Sequence, residues 1–169
     1  MPKIISDIKV NILKETKAQI LENGYSKVTI RSIANKLNLA VGTIYNYFPS
    51  KDMIVATFML EDWNVVLEKI QNDIFEVKDK IKVIYDGLLE FIVSYDYIFC
   101  DSSAEQNYAI MSKKYHNIFR NQIVELIVKN NITSNFVATF LAQNLITWAL
   151  EKTPYSNLEP IFKKIIKGD

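Results

Sequence analysis

Apolar residues recur at a spacing close to 3.6 along almost the whole chain, and this period predicts helices from end to end. Only four Gly and four Pro interrupt the 169 residues. No segment alternates apolar and polar residues as a half-buried strand does. We therefore predict an all-α fold.

Cap and turn residues predict where the helices end. We expect a first helix over residues 7–23, ended by Gly24, and a second that Thr29 caps and that runs to Leu37. Asn38 tolerates the positive φ of a tight turn, and Pro49 ends the third helix after Phe48. The later helices are predicted over residues 51–71, 78–95, 102–130 (as one or two helices), 133 or 134 to 151, and up to 167.

The first three predicted helices match the plan of a helix-turn-helix, in which two short helices are joined by a tight turn and supported by a longer one. On a helical wheel with Ile44 and Phe48 facing inward, Gly42 and Asn46 point away from the core. Thr43 and Tyr45 flank the outward pair. Asn46 is able to bond an adenine edge bidentately, and the hydroxyls of Tyr45 and Tyr47 reach phosphate or bases. Val41 either touches a thymine methyl or packs.

The charge distribution agrees with a nucleic-acid-binding head, although net charge is only +1. Residues 1–52 hold eight Lys and Arg against four acids, whereas the remainder holds twelve against fifteen. Arg31 is expected near phosphate or in solvent. The same pattern also fits ordinary solvated faces.

Several functional classes are disfavoured by composition. Cys100 and His116 are the only residues of their kinds, so we expect no intrachain disulfide, no metal site and no cofactor. No nucleophile–base constellation supports an enzyme. The first residues do not resemble a signal peptide, and no run of eighteen apolar residues occurs, so a cytoplasmic protein without a membrane partner is expected.

Two segments carry a family resemblance. Residues 28–34 and the run from Leu39 to Asp52, which contains Gly42-Thr43-Ile44-Tyr45-Asn46-Tyr47-Phe48-Pro49-Ser50-Lys51, resemble the TetR/AcrR family of bacterial transcriptional regulators. The resemblance covers about a third of the chain. It implies a helix-turn-helix DNA-binding domain at residues 1–50 and a helical ligand-sensing and dimerisation domain at residues 51–169.

The same resemblance assigns roles to individual positions. It implies that Thr29 touches a phosphate and that Thr43, Tyr47 and Lys51 hold the DNA backbone. The residues that would face the major groove are Val41, Gly42, Tyr45 and Asn46. This chain departs from the family in having Asn38 where Gly is usual and Ala40 where a Ser or Thr cap is usual.

The second domain holds two candidate surfaces. Most of its aromatic residues would be core in any helical bundle, but in the family such a body encloses a pocket for a small apolar or aromatic effector. The candidate pocket residues are Trp63, Tyr85, Phe91, Tyr95, Tyr108 and Phe119. The last two helices are the candidate homodimer interface, unless their apolar stripes pack within their own domain. The interface residues would be Phe136, Phe140, Leu141, Trp148, Leu158, Phe162 and Ile165.

Two functions remain after these exclusions. The first is a ligand-responsive repressor that binds a pseudo-palindromic operator on double-stranded DNA as a homodimer. The alternative is an activator or co-regulator of the same fold that a protein partner controls, which a short body without a polar cluster would favour.

Overall fold

The computed structural model describes the backbone of residues 3–74, 79–99 and 105–167, and the side chains of residues 7–74, 79–98 and 117–166. Within these ranges the chain is helical and contains no strand, so the predicted all-α class is confirmed. The helices are α1 (Lys3–Asn23), α2 (Ile30–Lys36), α3 (Val41–Tyr47), α4 (Lys51–Asp73), α5 (Lys80–Ser94), α6 (Asp96–Phe99), α7 (Glu105–Lys129), α8 (Asn135–Leu150) and α9 (Tyr155–Lys167).

Most of the predicted caps are present. The Thr29 hydroxyl accepts from the backbone N–H of Ser32 at 3.0 Å and begins α2. Of the two residues considered for the start of α8, the cap is Ser134, whose Oγ accepts from the N–H of Val137 at 3.4 Å. The backbone carbonyl of Ala40 begins α3 without a side-chain cap, as its methyl group dictates.

Three helices end on a non-glycine residue in the left-handed region: Asn38, Asn131 and Lys152 have φ of 54°, 53° and 53°. At the first of these ends, the N–H of Leu39 donates to the carbonyl of Ala34 at 2.9 Å and the N–H of Asn38 donates to that of Asn35 at 3.2 Å. These bonds satisfy carbonyls that the end of α2 would otherwise leave without partners. The predicted positive φ at Asn38 is therefore confirmed.

The helices group into two compact units. Unit 1 comprises Met1–Asp62 and Tyr95–Lys113, and unit 2 comprises Trp63–Ser94 and Lys114–Asp169. The division of the chain into domains at residues 50 and 51 remains a prediction.

The core of unit 1 is built from apolar residues that recur along α1, α2, α3 and the first part of α4. Among them Ile12, Ile33, Ile44 and Ile54 are fully buried. Because α2 and α3 are only seven residues long, they depend on this packing and not on their own helical propensity.

Unit 2 has α5 packed against α8 and α9. Helix α5 also approaches α4 closely, because Gly87 leaves room for the side chain of Ile70. Across the described residues, no helix is long and apolar enough to cross a bilayer.

Candidate nucleic-acid interface

The third helix separates its residues into a buried and an exposed face, as the helical wheel predicts. Ile44 and Phe48 have 0% and 4% of their surface exposed and hold α3 in the core. Tyr45 is 52% exposed, and Gly42 and Asn46 are exposed as well. The outward face of α3 is therefore polar and accessible.

Gly42 is not needed for packing within the protomer. A Cβ atom at this position would meet no atom within 4 Å. Glycine in a helix costs up to about 1 kcal/mol relative to alanine. Packing within the protomer therefore does not explain why the residue at position 42 is glycine. Its lack of a side chain leaves the backbone of α3 open to a close approach from outside.

Three predicted flanking residues of α3, namely Val41, Thr43 and Tyr47, are half-buried. Thr29 and Arg31 are exposed at the start of α2. Gly42, Tyr45 and Asn46 also lie on α3. Eight of the nine predicted DNA-binding residues are therefore part of the helix-turn-helix, on α2, on α3 or at the cap of α2.

The start of α2 is tied to α1 by polar contacts that sequence reasoning missed. The hydroxyl of Ser32 donates to the side-chain oxygen of Gln19 at 2.7 Å, and it also accepts from the backbone N–H of Thr29 at 3.1 Å. The amide of Gln19 donates back to the carbonyl of Ser32 at 3.3 Å. Thr29 is therefore presented on a helix end that α1 supports.

Lys51, the ninth predicted residue, has a partner inside unit 1. Its Nζ lies 2.7 Å from the carbonyl oxygen of Tyr25 and 3.8 Å from the centre of the Tyr25 ring. The hydroxyl of Tyr25 donates to the carboxylate of Asp52. Burial raises the pKa of Asp52 above its usual value.

Lys17 is likewise engaged, by an ion pair with Asp62, and it lies over the rings of Phe58 and Tyr95. Among the described side chains of residues 7–52, the exposed basic residues are Lys9, Lys14, Lys27, Arg31 and Lys36. The basic excess of this segment is thus carried mainly by side chains that reach solvent. Only the tertiary structure distinguishes them from the two paired lysines.

Three of the predicted pocket residues meet in unit 2. The ring of Trp63 lies 5.2 Å from that of Phe91 and 5.4 Å from that of Phe119. The indole N–H of Trp63 donates to Gln122 Oε1 at 3.0 Å. We call these four residues the Trp63 cluster.

The other predicted pocket residues lie apart from the Trp63 cluster. Tyr85 donates to the carbonyl oxygens of Trp148 and Thr153, at 3.1 and 2.5 Å. Tyr95 belongs to unit 1, where it donates to Asp62. The side chain of Tyr108 lies outside the described residues.

The predicted interface residues divide by exposure. Phe136 is 87% exposed and Phe140 is 52% exposed, whereas Trp148 and Ile165 are half-buried. Leu141, Leu158 and Phe162 are at most 2% exposed and fill the core of unit 2. These three residues therefore pack within the protomer and are not accessible to a second copy, because neighbouring helices cover that part of each apolar stripe.

The described residues contain no group of three His, Cys, Asp or Glu side chains that could hold a metal ion.

Sequence comparisons find proteins that are similar to this chain, most clearly over its N-terminal segment. A sequence model described as bacterial regulatory proteins, tetR family, matches residues 12–57. The HTH-type transcriptional repressor KstR of Rhodococcus jostii is 21% identical over 96% of this chain and 88% of its own length. The fatty acid metabolism regulator protein of Bacillus subtilis is 34% identical over 68 residues, which are 38% of this chain and 35% of that protein.

Solved structures share the fold. The fatty acid degradation regulator FadR from Bacillus halodurans superposes with a TM-score of 0.57 and 18% identity, covering 94% of both chains. A TetR-family transcriptional regulator from Haemophilus influenzae superposes with a TM-score of 0.50 and 18% identity, covering 97% of both. The family match over residues 12–57 includes the helix-turn-helix at residues 30–47, so it is this N-terminal segment that is similar to the tetR family of bacterial regulatory proteins.

Proposed function

We propose that this protein is a ligand-responsive transcriptional repressor that binds a pseudo-palindromic operator as a homodimer. The observation that carries the proposal is the outward face of α3, where Gly42, Tyr45 and Asn46 are accessible while Ile44 and Phe48 anchor the helix. An exposed helix of this kind fits the major groove of B-DNA. Repression is supported by the similarity to KstR of Rhodococcus jostii, which is a transcriptional repressor.

In this proposal Asn46 reads a base edge, with Val41 and Tyr45 beside it in the groove. Gly42 lets the backbone of α3 approach the DNA closely, because any side chain there would stand between them. The side chains that hold the sugar–phosphate backbone are Thr29, Arg31, Thr43, Tyr47 and Lys51. The exposed lysines of α1 and α2 supply the remaining positive charge.

Dimerisation is supported by the exposed apolar residues of unit 2. Phe136 and Phe140 are one helical turn apart on α8 and share a face, and Leu150 and Ile161 are 49% and 43% exposed. Burying a phenylalanine side chain is worth roughly 1.5–3 kcal/mol, so an accessible pair favours association. A twofold-related copy that packs α8 and α9 against the same helices would cover them.

In this proposal the candidate effector site is the Trp63 cluster, which combines three aromatic rings with the side-chain amide of Gln122. An apolar effector with one polar group matches this chemistry. Two relatives are named as regulators of fatty acid metabolism or degradation, so we include fatty acids and their thioesters among the compounds to test.

The experiment begins with selection of bound sequences from random duplex DNA by the wild-type protein. We expect a motif with two inverted half-sites whose centres are about one helical turn, roughly 34–36 Å, apart. Asn46→Ala should relax the preference at one or two base pairs per half-site and cost roughly 1–3 kcal/mol on the best site. Recovery of no enriched motif would refute the proposal.

Gly42→Ala sharpens the test because the protomer has room for the added methyl group. We expect this variant to fold with equal or greater stability and to lose operator affinity, since the methyl group meets only the DNA. Retention of full affinity would remove Gly42 from the interface. Adding effector candidates to the wild-type complex then separates a ligand-responsive repressor from a regulator that a protein partner controls.

A further inference from the structure

The two ends of the helix-turn-helix are joined by three side chains that stand outside it. Tyr25 lies in the 3-10 turn Tyr25–Lys27 that precedes α2, and Lys51 and Asp52 form the first turn of α4, which follows α3. We call Tyr25, Lys51 and Asp52 the clasp. The segment between its two sides, residues 28–50, contains all of α2 and α3.

The clasp is closed by contacts at both ends of Tyr25. The backbone carbonyl of Tyr25 accepts from Lys51 Nζ at 2.7 Å and also from the N–H of Val28 at 3.3 Å. At the far end of the side chain, the hydroxyl of Tyr25 donates to Asp52. Tyr25 as a whole is only 3% exposed, and the Lys51 ammonium group lies over the face of its ring, 3.8 Å from the centre.

Such contacts matter because the helices they enclose are short. Two seven-residue helices do not hold an orientation by themselves, and base reading tolerates a misplacement of only about 0.5 Å. Ile44 and Phe48 fix the depth of α3 in the core. The clasp fixes where the chain enters α2 and where it leaves α3.

We propose that Tyr25 and Asp52 are positioning residues for DNA recognition, which set the placement of α3 through their mutual hydrogen bond without touching DNA. The inference rests on the proposed function, since it presupposes that α3 reads bases. A positioning role differs from a role in phosphate binding, because removing the Tyr25 hydroxyl would take away no contact between the protein and a phosphate. It also differs from a purely stabilising role, because specific and non-specific binding should respond differently.

The test compares Tyr25→Phe, Asp52→Ala and Asp52→Asn with the wild type, using the full-length protein, the selected operator and an unrelated duplex of equal length. Losing a hydrogen bond to a charged group typically costs enough to change an equilibrium about tenfold. We expect Tyr25→Phe and Asp52→Ala to lower operator affinity roughly tenfold. Affinity for the unrelated duplex, and the slope of log affinity against log salt, should not change.

Asp52→Asn is the conservative variant, because its amide oxygen still accepts from the Tyr25 hydroxyl. We expect it to retain most of the ratio of specific to non-specific affinity. Tyr155→Phe is the matched control: it removes a tyrosine hydroxyl that donates to an aspartate in unit 2, so the ratio should stay at its wild-type value. If Tyr25→Phe does not fold, the two Asp52 variants carry the comparison.

Two results would overturn the positioning role. One is an unchanged operator affinity in folded Tyr25→Phe and Asp52→Ala. The other is an equal fall in specific and non-specific binding that follows the fraction of active protein, which indicates lost stability alone. A wild-type protein that prefers no duplex at all refutes the proposed function itself and the positioning role with it, so the two failures are distinguishable.

Discussion

The hydroxyl of Tyr155 lies 2.9 Å from each carboxylate oxygen of Asp79. Asp79 precedes α5, and its Oδ1 also accepts from the backbone N–H of Lys82 at 3.1 Å, so the same carboxylate caps that helix. The first residue of α9 thereby orients the cap of α5, although 76 residues separate the bonded pair. This contact links the C-terminal helix to the middle of the chain within unit 2.

Tyr155→Phe should lower the free energy of unfolding by about 1–2 kcal/mol, because the cap of α5 loses a hydrogen bond to its charged group while the ring remains. The ring itself packs 5.7 Å from Tyr85 and 5.9 Å from Phe162. Urea unfolding with an unchanged m-value is the measurement. An unaltered midpoint would contradict a stabilising role for this hydrogen bond.

The stability of the protein should fall as pH rises above about 10. Burial, followed by the hydrogen bond to Asp79, raises the pKa of Tyr155 above its ordinary value of 10.0. A raised pKa means that the folded state holds the proton more tightly, so the stabilisation is complete below pH 10 and is lost at higher pH. Unfolding followed from pH 8 to 11 should show a shallower decline in Tyr155→Phe, and equal slopes would refute the linkage.

Gly87→Ala should destabilise unit 2. A Cβ atom at Gly87 would lie 2.6 Å from Ile70 Cδ1 and 2.7 Å from its Cγ1, and Ile70 is only 2% exposed. The forced repacking outweighs the gain in helix propensity, so we expect a net loss of roughly 1–2 kcal/mol by chemical unfolding. Gly42→Ala is the control and should not lose stability. Equal behaviour of the two variants would contradict the close approach of α4 and α5.

Ala40→Ser should stabilise α3. The backbone of Ala40 already has the extended conformation of a capping residue, with φ −69° and ψ 143°. A hydroxyl there is able to accept from the first turn of α3, which is worth about 1 kcal/mol. Thr29→Ala removes the corresponding cap from α2 and should cost a similar amount. Thermal unfolding measures both changes, and a shift of the same sign in both variants would argue against the capping explanation.

Phe140→Glu should convert the proposed homodimer to monomers, because a charge would replace an exposed apolar side chain of α8 at the proposed interface. Val65→Glu is the matched control, since Val65 is 65% exposed on α4 and is not part of that surface. Sedimentation of both variants at several concentrations decides the question. A dimeric Phe140→Glu protein would place the interface elsewhere.

The local features of the helix-turn-helix could be predicted from the sequence because they depend on residues close together in the chain. The helical wheel of α3 predicted that Ile44 faces the core and that Tyr45 does not. The exposure of the two side chains, 0% and 52%, agrees with this prediction. The cap at Thr29 and the positive φ at Asn38 follow from the chemistry of single residues and their nearest neighbours. The family resemblance rested on these same adjacent positions.

The apolar helices of the second half show where such reasoning stops. Periodicity identified the stripes of α8 and α9, but it assigned Phe140 and Phe162 to the same surface, whereas one is 52% exposed and the other 2%. A single helix has a broad apolar face, and only its neighbours decide which part they cover. The same limit applies to the aromatic residues: Trp63 and Tyr95 were both predicted to line one pocket, but they belong to different units.

The sequence by itself thus determined the helical class, the helix-turn-helix, its caps and its outward face, since interactions over three or four residues encode them. Only the tertiary structure decided that Lys51 reaches Tyr25, that Lys17 reaches Asp62 and that Tyr155 reaches Asp79. These partners are 26, 45 and 76 residues apart. Pairs so distant meet only after the chain has packed, and no local pattern in the sequence records which of many possible partners a side chain finds.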